Sequence, residues 1–179
     1  MIKTTAIIVV ALLAAFLMFA ATRPDTFRIT RTIGIKAPPE KIYPLINDLR
    51  NHASWGPWEE LDPAMKRTFS GSSAGTGAIY AWEGNHSVGK GRIEIADTVA
   101  PSRVRMKLDY VEPFEAHNTV EFTLQPGLDA TIVTWDLNGS NNFIGKIVSM
   151  VFSERVVGAM FEKGLAKLKA IAEQSAART

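Results

Sequence analysis

A chain of 179 residues, 46% of them hydrophobic, is long enough for one domain plus an appendage, and a domain of that size buries most of its apolar surface without staples. It contains no cysteine, which excludes disulfides and thiolate chemistry. The formal net charge is only +2, with both signs mixed along the chain and no basic arm or stripe, so nucleic acid is not an expected partner.

The appendage comes first. From Thr4 to Thr22 there is no charged residue, and most positions are Ala, Ile, Val, Leu, Phe or Met. A helix rises about 1.5 Å per residue, so about 19 residues nearly cross a hydrocarbon core of roughly 30 Å. Residues 1–24 are therefore expected to be an N-terminal membrane anchor. The competing reading is a cleaved secretory signal, whose apolar region is shorter, about 7–15 residues, although Ala20 and Ala21 fit a small-residue cleavage site. Lys3 and the amino terminus flank one end, and Arg23, Arg28 and Arg31 the other, a narrow bias toward a cytoplasmic domain.

The domain starts at Phe27. In "FRITRTIGIK", Phe27, Ile29, Ile33 and Ile35 alternate with polar residues, the pattern of a half-buried strand with Arg31 as an exception on the apolar face. "APPEKIYPLINDLRNHASW" follows. Pro38 and Pro39 suit a helix start, Glu40 suits its first turn, and Ile42, Leu45, Ile46 and Leu49 recur at helical spacing. One or two short helices are expected, ending before Trp55. Then "NHASWGPWEELDP" sets Trp55 and Trp58 on a loop, because Gly56 and Pro57 break both helix and strand. These rings either plug the core from its edge or line an opening. The acids Glu59, Glu60 and Asp62 are expected at a solvated loop edge.

About six strands come next: "MKRTFSG", "GAIYAWEG", "VGKGRIEIADTV", "RVRMKLDYVEPF", "HNTVEFTLQP" and "ATIVTWDLNG". Gly89 and Gly91 indicate a bulge or bend. From Gly145 to about Ser175, Ile147, Met150, Val151, Val157, Met160, Phe161, Leu165, Leu168 and Ile171 keep helical period, with Lys163, Lys167 and Lys169 opposite. Helices segregated to one side of an antiparallel sheet make an α+β domain. The sheet is expected to curl, with the long helix in its concave face.

The stretches "IKAPPEKIYPLINDLRNHASWGPWEELDP", "YAWEGNHSVGKGRIEI", "TIVTWDLNG" and "FEKGLAKLKAIAE", in this order of elements, resemble the START-like, or helix-grip, superfamily (SRPBCC), and within it the polyketide cyclase/dehydrase-like branch. The resemblance spans nearly all of residues 27–173, and the START-like domain is set at residues 27–175. It implies a helix-grip fold, six to seven curved strands wrapped around the C-terminal helix, with a cavity between them. It also implies that the loop carrying Trp55 and Trp58 lies near the cavity mouth.

Strand alternation then turns Trp135 inward with Val133 and Leu137, Tyr110 with Met106 and Leu108, and Tyr80 with Trp82. A hydrophobic ligand, whether lipid, isoprenoid or aromatic, is expected against Trp55, Trp58, Trp82, Tyr110, Trp135, Met160 and Phe161, since pockets are mainly apolar with few polar groups. The alternative is that the same rings simply fill the core. Weak acid–base candidates are Glu83 and His86, which flank the "EGNH" turn; the competing reading is an ordinary exposed turn. His52, His86 and His117 lack ligand spacing, so no metal is expected, nor any other cofactor. "GSSAGTG" lies between strands and lacks the helix N-terminus that binds phosphate. Three functions follow: a membrane-anchored binder of a hydrophobic small molecule, a cyclase or dehydratase, or a regulatory interaction protein with a filled interior.

Overall fold

The computed structural model describes residues 2–22, 24–140, 146 and 154–177. Helix α1 (Ile2–Ala21) precedes strand β1 (Thr26–Ile35). Helix α2 (Pro39–Asn47) and α3 (His52–Trp55) follow, each succeeded by a short 3₁₀ turn, Leu49–Asn51 and Pro57–Glu60. Six more strands run in sequence: β2 (Lys66–Gly71), β3 (Ala78–Glu83), β4 (Lys90–Val99), β5 (Arg103–Glu112), β6 (Ala116–Pro126) and β7 (Thr131–Ser140). Helix α4 (Glu154–Ala177) ends the described chain.

The strands form one antiparallel sheet in the order β1-β7-β6-β5-β4-β3-β2. Strands β2 to β7 are joined in sequence by hairpins, and β1 pairs back onto β7, so the fold is the helix-grip arrangement of an α+β domain. The expected bend falls in β4, where register shifts occur between Lys90 and Gly91 and again between Ile95 and Asp97. Gly91 is required there. A Cβ at that position would lie 2.5 Å from the Trp82 ring.

Strand register lays the concave face out in rows. One row reads Val104, Phe122, Trp135, Arg31 across β5, β6, β7 and β1; the next reads Met106, Val120, Leu137, Ile29. The apolar members of both rows are buried. Helix α4 covers them with Phe161, Leu165, Leu168 and Ala172 and packs on β1, α2 and α3. The helical pattern expected from Gly145 is seen from Glu154 onward; Ile147, Met150 and Val151 lie outside the described residues.

Arg31, the polar exception in an apolar strand, has a partner set of its own. Its Nε donates to Glu162 at 2.8 Å and its Nη1 to Glu154 at 3.3 Å, both on α4. Gly158 makes room for the guanidinium, since a Cβ there would fall 2.0 Å from Nη2. Farther along α4, Lys169 donates to the Gly34 carbonyl at 2.8 Å, and Glu173 accepts from the Lys36 amide at 2.8 Å. Helix α4 is thus stitched along β1 from Arg31 to just past its end.

The N-terminal segment is helical as expected, but among the described residues no helix is long and apolar enough to cross a membrane. The spanning helix expected from residues 1–24 is therefore not established. Within α1 the side chains at 2, 3, 6, 9, 13 and 20 lie outside the described set. Those that are described, including Ile7, Val10, Leu12, Phe16, Met18 and Phe19, are exposed.

Candidate functional site: the open end of the concave sheet

The middle of the concave face is solid. Trp55 is 1% exposed; its Nε1 donates to the Leu45 carbonyl at 2.9 Å, and its ring meets Phe122 and Trp135 edge-on at 5.8 and 5.6 Å. Trp58 meets Trp135 and Phe161 edge-on, each at 6.0 Å. Pro57 is buried against α4 at Gly164, where a Cβ would lie 2.9 Å from its ring. Of the two readings for this loop, Trp55 takes the plug. The Gly-Pro break lets one short segment turn two indoles into the same core.

The acids after Trp58 are anchors; Glu59 and Asp62 are half-buried, which corrects the solvated edge expected for them, while Glu60 stays exposed as expected. The Glu59 carboxylate accepts from the Tyr80 phenol at 2.7 Å and from the Arg67 Nε at 2.8 Å. Burial and that carboxylate together push the Tyr80 phenol well above its ordinary value. Glu60 binds Lys163 and Lys167 of α4, which hold its pKa down to about 2. Asp62 accepts from the Asn85 amide at 2.7 Å.

Toward the start of β1 the concave face changes character. The next row reads Tyr80, Ile93, Leu108, Asn118, Gly139, Phe27 from β3 round to β1, and beyond it lie Trp82, Gly91 and Tyr110. Ile93, Leu108, Trp82, Tyr110 and Phe27 are only half-buried, where Ile95, Met106 and Val104 one or two rows deeper are fully buried. Trp82 and Tyr110 meet edge-on at 5.6 Å across Gly91, and the Trp82 Nε1 donates to the Val88 carbonyl at 3.1 Å. Two polar groups share this end. Burial pushes the Tyr110 phenol up to about 12, so it stays a protonated donor. Asn118, its diagonal neighbour on β6, points to the same face. Neither side chain has a hydrogen-bond partner among the described residues. A groove of about 490 Å³ at this end lies mainly on the opposite, outer face of the sheet, lined by Arg28, His117, Thr119 and Asn138 among others and not by Trp82, Tyr110 or Asn118. A second, of about 420 Å³, lies elsewhere, beside Glu59, Glu60, Arg67 and Lys167.

The expected ligand residues therefore separate into two groups. Trp55, Trp58, Trp135 and Phe161 belong to the packed middle, while Trp82 and Tyr110 stand at the open end. Met160 is half-buried on α4. Trp135 and Phe161 stack face to face on each other. Asn118 was missed by sequence reasoning, although Val120, Phe122 and Leu124 fix its inward parity. Glu83 and His86 sit on the exposed β3–β4 turn, with Lys90 Nζ 3.5 Å from Glu83. Among the described residues no cluster of His, Asp or Glu is arranged to hold a metal.

A curved antiparallel sheet gripping a C-terminal helix defines a START-like domain. The chain belongs to the polyketide cyclase/dehydrase and lipid transport family, whose model matches residues 26–173. Among solved structures it is similar to protein CV1439 from Chromobacterium violaceum, at 18% identity and TM-score 0.58 over 84% of this chain and 99% of that one. It is similar to the major latex-like protein 151 of Panax ginseng, at 13% identity and TM-score 0.56 over 86% and 99%. It also resembles the di-domain ARO/CYC StfQ of the steffimycin biosynthetic pathway, at 12% identity and TM-score 0.64, covering 85% of this chain and 52% of that one. At such identities the likeness is one of fold. No curated protein matches the chain.

Proposed function

We propose that the domain binds a hydrophobic small molecule at the open end of its concave sheet, and that α1 holds it at a membrane. The family, which groups cyclases, dehydrases and lipid-transport proteins, supports a hydrophobic or cyclase-type ligand. The observation that carries the reading is the pairing of half-buried rings, Trp82, Tyr110 and Phe27, with two inward polar groups that nothing else in the described chain satisfies, the Tyr110 hydroxyl and the Asn118 amide. Apolar walls with a few convergent polar groups are what small-molecule sites present. A lipid, isoprenoid or aromatic body carrying a carbonyl or hydroxyl at one end fits that set. The exposed position of Glu83 and His86 favours binding over turnover.

Attachment through α1 is supported by its described surface. Phe16, Leu17, Met18 and Phe19 are consecutive and all exposed, so apolar side chains point to every side of the helix. A helix apolar all round requires a lipid or protein surround.

The test is native mass spectrometry of the full chain extracted gently from its own membrane. A copurifying apolar molecule is expected, retained less by Trp82→Ala and by Tyr110→Phe than by the unaltered protein. A ligand-free sample whose Trp fluorescence ignores added fatty acids, isoprenoids and aromatic ketones overturns the reading.

A further inference from the structure

The open end of the sheet and the end that carries α1 are the same end. Thr26 pairs with Ser140, Phe27 with Gly139, Asn118 with Gly139, and Tyr110 with Ala116, so the start of β1, the end of β7, the start of β6 and the end of β5 lie together. Only Thr22 to Asp25 separate α1 from β1, and four residues reach at most about 14 Å. Lys146 fixes the junction, with its Nζ 2.6 Å from the Asp25 carboxylate and donating to the Ala21 carbonyl at 3.4 Å. The last residues of β5 and the β5–β6 turn expose Val111 and Phe114 at this end, at 56% and 51%.

We infer that this end of the sheet docks on a zwitterionic lipid bilayer, with Val111 and Phe114 seated in the interfacial layer and Trp82, Tyr110 and Asn118 opening toward lipid. The inference rests on the membrane reading of α1 and deepens it. The short tether leaves the domain no room to stand away from the surface from which α1 emerges. The acids Glu112 and Glu115 flank the two apolar side chains, which disfavours an anionic surface and suits a neutral one. A ligand dissolved among acyl chains then enters the site without crossing water. The opposite end, where Leu128 is 104% exposed on the β6–β7 turn, faces away.

The chain has no cysteine, so single-cysteine variants label at one site. Phe114→Cys, Val111→Cys (which keeps Phe114) and Leu128→Cys are made in the full chain, labelled with bimane and reconstituted into phosphatidylcholine vesicles. Flotation is read first, then emission and quenching by nitroxide-labelled lipid. Blue-shifted emission and several-fold stronger quenching at 111 and 114 than at 128 are expected. Floating protein whose label at 111 and 114 is as wet as at 128 overturns the docking and leaves attachment intact. A chain that does not float overturns both.

Discussion

Trp135 lies face to face with Phe161, their ring centroids 4.0 Å apart and their planes 8° from parallel. This contact joins β7 to α4 and closes the middle of the grip. Phe161→Ala is expected to lower unfolding free energy by about 3–5 kcal/mol, the range for deleting a buried aromatic side chain. Urea titration followed by Trp fluorescence measures it. A loss under about 1 kcal/mol shows that the stack does not hold the helix.

Two glycines on α4 are expected to respond oppositely to the same change. At Gly164 a Cβ meets the rigid rings of Pro57 and Trp135 at 2.9 and 3.0 Å, so Gly164→Ala costs about 1–3 kcal/mol through overpacking. At Gly158 the obstacle is the mobile end of Arg31, which can swing aside. Alanine also raises helix propensity by about 1 kcal/mol. Gly158→Ala is therefore near neutral in urea but speeds amide exchange at the first turns of α4. Equal losses at both sites contradict this account.

Acid is expected to act in two steps. Burial holds His52 down to about 4, with its Nε2 donating to the Ile46 carbonyl at 3.0 Å. Its pKa is lower in the folded than in the unfolded chain, where it is about 6.5. The unfolded state therefore binds the extra proton first, and stability falls as pH drops from about 6.5 to about 4. Glu60 follows. Hydrogen bonds from Lys163 and Lys167 hold it to about 2, so the stability it lends is full above the ordinary carboxylate range and is lost as pH falls toward 2. Urea midpoints against pH should lose the upper step in His52→Gln and the lower step in Glu60→Gln. An unchanged upper step in His52→Gln removes His52 from the account.

Glu59 holds two donors at once, the Tyr80 phenol and the Arg67 guanidinium. Glu59→Ala leaves both without it and is expected to cost about 1–3 kcal/mol, the penalty for orphaned buried polar groups. Tyr80→Phe removes only one partner and should cost less. The reverse order, measured by thermal unfolding, refutes Glu59 as the hub.

Much of this was legible in the residues. Period-2 alternation located β1 and β5 to β7, and it turned Trp82, Tyr110 and Trp135 inward without any coordinates. Gly89 and Gly91 marked the bend in β4. The second register shift at Ala96 carried no glycine and gave no signal. What the alternation cannot express is depth along a strand. Trp135 and Tyr110 have the same inward parity, yet one is packed between Phe122 and Phe161 and the other is left half-open, because α4 and the Trp55 loop cover one row and not the other. Glu59 was misread, and the partners of Arg31, which lies on the apolar face as expected, went unseen, for a related reason. Each is a charged residue whose partners lie across the fold, at Glu154 and Glu162 for one and at Arg67 and Tyr80 for the other.

The pairing of β1 with β7 has a consequence for how the chain is made. β1 lies at the rim of the sheet, and among the described strands β7 is the one it pairs with. The earliest strand off the ribosome thus has nothing to bond until the latest has emerged. Through that interval its unsatisfied amides and carbonyls wait beside the tether, and the slow, long-distance closure of Thr26 onto Ser140 sets when the sheet is finished. A nascent chain stalled before Thr131 should accordingly expose β1 to protease, and one released after Ser140 should protect it.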